Sequence, residues 1–301
     1  MGFRCSASSA LPVVLLHFDR CKLGKIFMLG DIVDLKIPIL NRNLRMRVHG
    51  VASDDISTSI RTLSVWEPFE TELMVRRLRL GDCVIDVGAN IGYYTIIAAA
   101  TVGSRGRVYA FEPEPANAAL LAENARLNGL GNVYLERRAV GDRTGAARLY
   151  LSVDNRGDHR MYISDAPEEA SRESIDVSCT DLGSFLEANQ VIPTFIKIDA
   201  QGMEARILSG MRDFLSGAGR SFTMFIELWP YGLAGAGSTV TDVVDVIETL
   251  GMQMSIIDEH KRRLLEISRE RVLKLTSGRA FTAGRAFLNL MVSHHEAPSA
   301  A

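Results

Sequence analysis

The chain has 301 residues, a formal net charge of -2 and 47% apolar residues. That allows one large α/β domain or two small ones with ample core, and the near-neutral balance argues against bulk attraction to nucleic acid. Cys5, Cys21, Cys83 and Cys179 form no C-x-x-C pair and stand at no zinc-ligand spacing, so they read as reduced thiols of a cytoplasmic protein without a metal site.

Residues 1 to about 22 show no clear period. The apolar run Leu11 to Leu16 is too short to span a bilayer and lacks a cleavage region. Short alternating stretches such as Leu44-Arg45-Met46-Arg47-Val48 read as strands. Asp54-Asp55 and the Ser/Thr-rich run to Ser64 read as a loop. Pro68 then opens a helix with the stripe Phe69, Leu73, Met74 and Leu78, closed by Gly81. Glu67, Glu70 and Thr71, at its start, stand where such folds can cover a ligand. The chain thus divides into an extension with short strands (1–65), a main domain (66–295) and a tail read as disordered (296–301).

The main domain opens on Cys83 to Val87, an apolar run read as a buried parallel strand, followed by a turn carrying Gly88, Asn90 and Gly92 and a helix from Tyr93 to Val102. Strand, glycine turn and helix open the first nucleotide crevice of an α/β sheet. The spacing departs from the dinucleotide pattern G-x-G-x-x-G, because Asn90 fills the middle position. Asp86 would repel a pyrophosphate but can accept hydrogen bonds from an ammonium group. Glu112 ends the next apolar run, where such folds place the acid that grips ribose hydroxyls. A ligand with an amino-acid end and a nucleoside end fits both acids, and S-adenosylmethionine is such a ligand.

Pro113 and Pro115 lead into a helix to Leu127, capped by Asn128-Gly129. Val133 to Val140 reads as the third strand, with Ala139, Val140 and Asp142 placed to border an adenine. Residues 143–176 then break the alternation. Ala146 to Val153 reads as an extra strand, a polar segment from Asp154 to Tyr162 follows, and an acidic stretch runs from Asp165 to Glu173. The alternation resumes with a helix at Asp181 to Glu187 and a strand at Phe195 to Asp199. A helix with the stripe Met203, Ile207, Met211 and Phe214 comes next, then a strand at Phe222 to Leu228 ending near Glu227. After a glycine-rich loop, Gly232 to Gly237, a helix carries Val240, Val243, Val244, Ile247 and Leu250. Met252 to Ile257 and Ala286 to Val292 supply the last strands as an antiparallel hairpin at the edge, with 259–285 as a basic excursion between them.

Several of these segments together resemble the FkbM-type S-adenosylmethionine-dependent methyltransferases. They are Asp86 to Thr95, Val108 to Pro113, Asn124 with Asn128-Gly129, Ala139 to Asp142, and Ile196-Lys197-Ile198-Asp199-Ala200-Gln201-Gly202-Met203-Glu204. The resemblance runs from about Trp66 to Trp229. It implies a Rossmann-like methyltransferase fold, with a seven-stranded, mostly parallel, doubly wound sheet and an antiparallel edge strand. It also implies methyl transfer to a hydroxyl of a sugar, glycolipid or secondary metabolite. The family usually shows an acid where this chain has Gln201. Asp86, Gly88, Asn90, Gly92, Glu112, Pro113, Ala139, Val140 and Asp142 are the expected cofactor-binding residues.

A hydroxyl acceptor must lose its proton, and histidine titrates near working pH. His159, in the long polar segment, is therefore the expected base, with Asp158 orienting it and Arg160 holding an anionic or polyhydroxylated substrate. Asp199 is the alternative base; Glu204, which faces the same rim, and Glu227, at the end of its strand, are expected to bind substrate with Asp158 and Arg160. Two other classes remain at this level: a nicotinamide-dependent oxidoreductase, and an inactive cofactor-binding partner module. The expected partner is a small-molecule or glycan acceptor, with no nucleic acid and no transmembrane segment; a homo-oligomer stays open.

Overall fold

The computed structural model describes residues 29–50, 54–163, 172–215, 221–283 and 286–294. The readings for residues 1–22, for most of the acidic stretch and for the tail from Glu296 lie outside these residues.

An antiparallel ribbon, β1 (Leu29–Asp34) and β2 (Arg45–His49), comes first. The Ser/Thr-rich run read as a loop is instead helix α1 (Asp55–Leu63). Asp54 caps it by accepting the Ser57 N–H at 2.9 Å, and Ile60 is fully buried beneath it. A good cap and one buried anchor outweigh a composition of mediocre helix formers.

The regular alternation follows: α2 (Pro68–Arg77), β3 (Cys83–Val87), α3 (Tyr93–Val102), β4 (Arg107–Phe111), α4 (Pro115–Leu127) and β5 (Val133–Glu136). The run read as one third strand is divided here. The chain leaves the main sheet after Glu136, and Ala139–Gly141 forms β6 of a separate three-stranded sheet with β7 (Gly145–Tyr150) and β8 (Ser174–Asp181). The alternation resumes with α5 (Leu182–Ala188), β9 (Phe195–Ile198), α6 (Glu204–Gly210), α7 (Arg212–Leu215) and β10 (Thr223–Leu228). The glycine-rich loop is helix α8 (Pro230–Gly235), and α9 (Val240–Thr249) and β11 (Gln253–Asp258) follow. The basic excursion contains β12 (Arg263–Ile267), α10 (Arg269–Thr276) and α11 (Arg279–Thr282), and β13 (Leu288–Ser293) closes the series.

The main sheet has eight strands rather than seven, in the order β12-β11-β13-β10-β9-β3-β4-β5. The five strands from β10 to β5 are mutually parallel. β13 runs antiparallel between β10 and β11 instead of forming an edge hairpin, and the antiparallel edge is β12. The class remains Rossmann-like α/β. Alternate side chains of the central strands serve two cores: Ile85, Ile196 and Ile226 face α5, α6 and α9, whereas Val84, Phe195 and Phe225 face α2 and α3. With both faces covered, these strands are mostly apolar, with Asp86, Lys197 and Glu227 as the charged exceptions.

The ribbon packs into the second core through Met46 and Val48. On α4, Asn124 accepts the Arg47 N–H at 2.7 Å and donates to the Arg47 carbonyl at 2.9 Å. Asn128 does the same with Arg45, at 2.8 and 2.7 Å. The two asparagines thus take the place of a partner strand. No helix among the described residues is long and apolar enough to cross a membrane.

Candidate active site

Connections leave β3 toward β4 on one side, while β9 lies on the other, so the strand order reverses between β3 and β9. Ligands bind outside the carboxyl ends of strands at such a reversal. Two turns face each other there. After β3, Gly88 has φ 78°, Asn90 φ 51° and Gly92 φ 89°; after β9, Gln201 has φ 51° and Gly202 φ 101°. A Cβ on Gly88 would lie 1.8 Å from the Asp199 carbonyl oxygen, so Gly88 is needed for contact between the two turns. A Cβ on Gly92 would lie 2.8 Å from Leu121 Cγ, so Gly92 lets α4, not the strand, come close.

Glu112, at the end of β4, is buried and accepts the backbone N–H groups of Asn90 and Glu114, both at 2.8 Å. Burial pushes its carboxyl up to about 8. It lines a first cavity with Pro113, Ala139, Val140 and His159. A second cavity is lined by Glu67, Asp158, Arg160, Glu227 and Trp229. Gly88, Asn90, Gly157, Asp199 and Gln201 border both, so the two cavities meet at the paired turns.

Other expected site residues lie elsewhere. Asp86 is buried behind the turn, accepts the Thr95 hydroxyl at 2.5 Å and lines neither cavity; burial raises its carboxyl above the usual range. Asp142 faces Arg206 at 3.9 Å, away from the first cavity. Glu204 is fully buried and accepts the N–H groups of Ala200 at 2.9 Å and Gly202 at 3.2 Å. It braces its own turn and reaches neither cavity.

The polar segment lies over the first turn as a strap. The Arg156 carbonyl accepts from Asn90 Nδ2 at 3.2 Å and Asn117 Nδ2 at 3.1 Å, and the Arg156 N–H donates to Asp54 at 3.1 Å. Within it, His159 Nδ1 accepts the Ser152 N–H at 3.0 Å, which assigns the proton of the neutral ring to Nε2. Nε2 is buried and has no partner among the described residues. Burial pushes the ring down to about 4. The lone pair a base would use is therefore already engaged, and the imidazolium is disfavoured; both oppose the expected role of His159. Asp158 does not orient the ring. It holds Arg160 through two bonds of 2.7 and 2.8 Å and Arg172 at 2.9 Å.

Of four further groups, Lys197 and Trp229 were given no role in the sequence reading, and Glu67 and Gln201 were named there without their partners. Lys197, inside an apolar strand, is buried 3.3 Å from Asp199 and 3.5 Å from Glu70, with its ammonium 4.5 Å from the centre of the Tyr94 ring. Burial alone would lower its pKa; Asp199, Glu70 and Glu67 more than offset this and hold it above the ordinary value, so it stays a cation. Gln201 Nε2 donates to Asp199 at 3.0 Å and to Glu227 at 3.4 Å. Glu67 accepts from the Tyr94 hydroxyl at 2.7 Å and from Asn289 at 2.8 Å. Trp229 carries the Arg160 guanidinium 4.8 Å above its ring. The lysine in β9 was the one legible signal, since an unpaired lysine does not stay in such a strand.

A doubly wound sheet, a glycine turn without a pyrophosphate pattern and an acid at the next strand end are what an α/β methyltransferase requires. The sequence matches the methyltransferase FkbM domain over residues 86–250. The chain belongs to this family, whose members are S-adenosylmethionine-dependent methyltransferases. The family decides against the nicotinamide-dependent alternative. Among curated relatives, hexuronic acid methyltransferase AglP of Haloferax volcanii is 25% identical, over 64% of this chain and 77% of its own. The 31-O-demethyl-FK506 methyltransferase FkbM of Streptomyces tacrolimicus is 30% identical over 45% of this chain and 62% of its own, somewhat under two thirds of that relative. A solved FkbM methyltransferase from Methylobacillus flagellatus aligns over 71% of this chain and 44% of its own, at 17% identity and a TM-score of 0.40.

Proposed function

We propose that this protein is an O-methyltransferase acting on a hydroxyl of a sugar, glycolipid or secondary metabolite. In this reading S-adenosylmethionine occupies the first cavity and the acceptor the second. The observation that carries it is the meeting of the two cavities at Asp199, whose two oxygens are held by Lys197 and Gln201. The names of the two curated relatives, for a hexuronic acid and for 31-O-demethyl-FK506, support an oxygen acceptor.

The residues that line the first cavity suit the cofactor's chemistry. Glu112 presents a buried carboxyl for the ribose hydroxyls, and Phe111, Ala139, Val140 and Met203 supply apolar walls for a base. The Nε2–H of His159, without a partner among the described residues, is a donor on the same cavity. Asp86, behind the turn, fixes the strand end through Thr95 rather than touching the ligand. When bound, S-adenosylmethionine supplies a sulfonium-activated methyl group. Asp199 takes the proton that the attacking hydroxyl loses, and Lys197 beneath it stabilises the carboxylate without entering the cavity. His159 is then a cofactor-side donor and not the base.

Asp199→Asn should lower kcat by about 10²–10⁴-fold with cofactor affinity nearly unchanged. His159→Asn should leave kcat within a few-fold and weaken the cofactor. Both are read from steady-state kinetics with calorimetry. Turnover of Asp199→Asn at the parent's rate would sink the assignment. Cofactor binding without transfer to any component of a cell extract would favour the inactive partner module instead.

A further inference from the structure

We propose that the second cavity takes an acceptor without negative charge: an uncharged, hydroxyl-rich molecule, such as a neutral sugar unit. The inference rests on the methyl-transfer reading and narrows it to one substrate class. Where the cavities meet stand Asp199 and Glu227, joined by the Gln201 amide, with Glu67 also on the lining. Lys197 offers nothing to an acceptor. It lies below the lining at 5% exposure, engaged by Asp199, Glu70 and the Tyr94 ring.

The described cations that do line the cavity are Arg160 and Arg172. Both are bound to the same carboxylate, Asp158, and Arg160 is 1% exposed and stacked on Trp229. They form a wall and not a receptor for an anion, which revises the anionic alternative for Arg160. Toward the mouth Asp55 and Asp154, both exposed, add further negative charge. A carboxylate or phosphate on the acceptor would meet these acids with no free described cation to match it, and unmatched like charges disfavour binding. Hydroxyls suit the same lining. A substrate hydroxyl can donate to the carboxylate oxygens of Asp199, Glu67 and Glu227. Trp66, Trp229 and Phe287 offer apolar surface to the C–H faces of a ring.

The test uses the full chain, S-adenosylmethionine labelled in its methyl group, and a detergent extract of the cell that makes the protein. Unreacted cofactor is removed, labelled product is hydrolysed to its smallest methylated unit, and that unit is passed over anion and cation exchangers at neutral pH. The expected result is at least tenfold more label passing both columns than retained on either. Label held on the anion exchanger, as a uronate methylated on a hydroxyl would be, overturns the proposal, and so does label released as methanol by mild alkali before hydrolysis, which marks the ester of an acceptor carboxylate. Label held on the cation exchanger overturns it in favour of an amine. If no fraction is labelled while calorimetry shows the cofactor bound, methyl transfer itself is refuted and this inference falls with it.

Discussion

His159 shows how far a single residue's neighbours decide its chemistry. Because burial pushes the ring down to about 4, the folded protein binds fewer protons there than the unfolded chain between that value and the model-peptide value near 6.5. Its contribution to stability is fully present above about pH 6.5 and is lost as pH falls toward 4. His159→Asn keeps an acceptor for the Ser152 N–H, so the Tm advantage of the parent over this variant should shrink on acidification from pH 6.5 to 4. A constant difference across that range would show that the ring does not titrate as described. Glu112 carries the opposite sign. With its carboxyl raised to about 8, stability from the protonated group is fully present below about pH 4.5 and lost as pH rises through 8. Ribose hydroxyls donate best to the ionised form, so cofactor binding at pH 7 should release protons and tighten toward pH 8.5. Calorimetry in buffers of different ionisation enthalpy reads this, and Glu112→Gln should remove the pH dependence. Glu112 was legible in the sequence because its place follows from strand and spacing. The surroundings of His159 were not, because they turn on a backbone amide seven residues away and on which cavity the ring faces.

Among the elements, the two turns behave as one unit. Gly88 and the Asp199 carbonyl share a space that admits no side chain. Gly88→Ala should therefore cost about 1–3 kcal/mol in denaturant unfolding through forced backbone strain, and should also abolish turnover by displacing Asp199. A variant of parental stability and rate would refute the coupling. The glycines were visible in the sequence; their partners were not, since strands β3 and β9 adjoin only in the folded sheet. Helix α1 was missed because its signal is one capping aspartate in a run of Ser and Thr. The break between β5 and β6 was missed because its local mark, the charged run Glu136-Arg137-Arg138, fits an edge strand as well as a change of sheet. Asn124 shows the same limit. It is fully buried and completes the ladder of β2 from a helix. Asn124→Ala should destabilise by about 1–3 kcal/mol by leaving buried backbone groups unpaired, with faster hydrogen exchange in β2.

For the whole molecule, the β-α rhythm from β3 to α9 announced the class of fold, and the reversal between β3 and β9 placed the site. The position of the closing strand could not be read, because sequence order carries no record of which neighbours a strand lies between. β13 is the last described strand, yet it pairs residue for residue with β10, Thr223 to Ser293 through Leu228 to Leu288, and with β11 on its other side. β10 and β11 are not neighbours. A nascent chain on the ribosome therefore holds the open edge of β10, with Met224, Phe225 and Ile226, for the time needed to synthesise everything up to Leu288. That interval is roughly 3–12 s at about 5–20 residues per second. During it the unpaired edge is a template for association with other emerging chains, and the sheet can close only when its final strand leaves the exit tunnel.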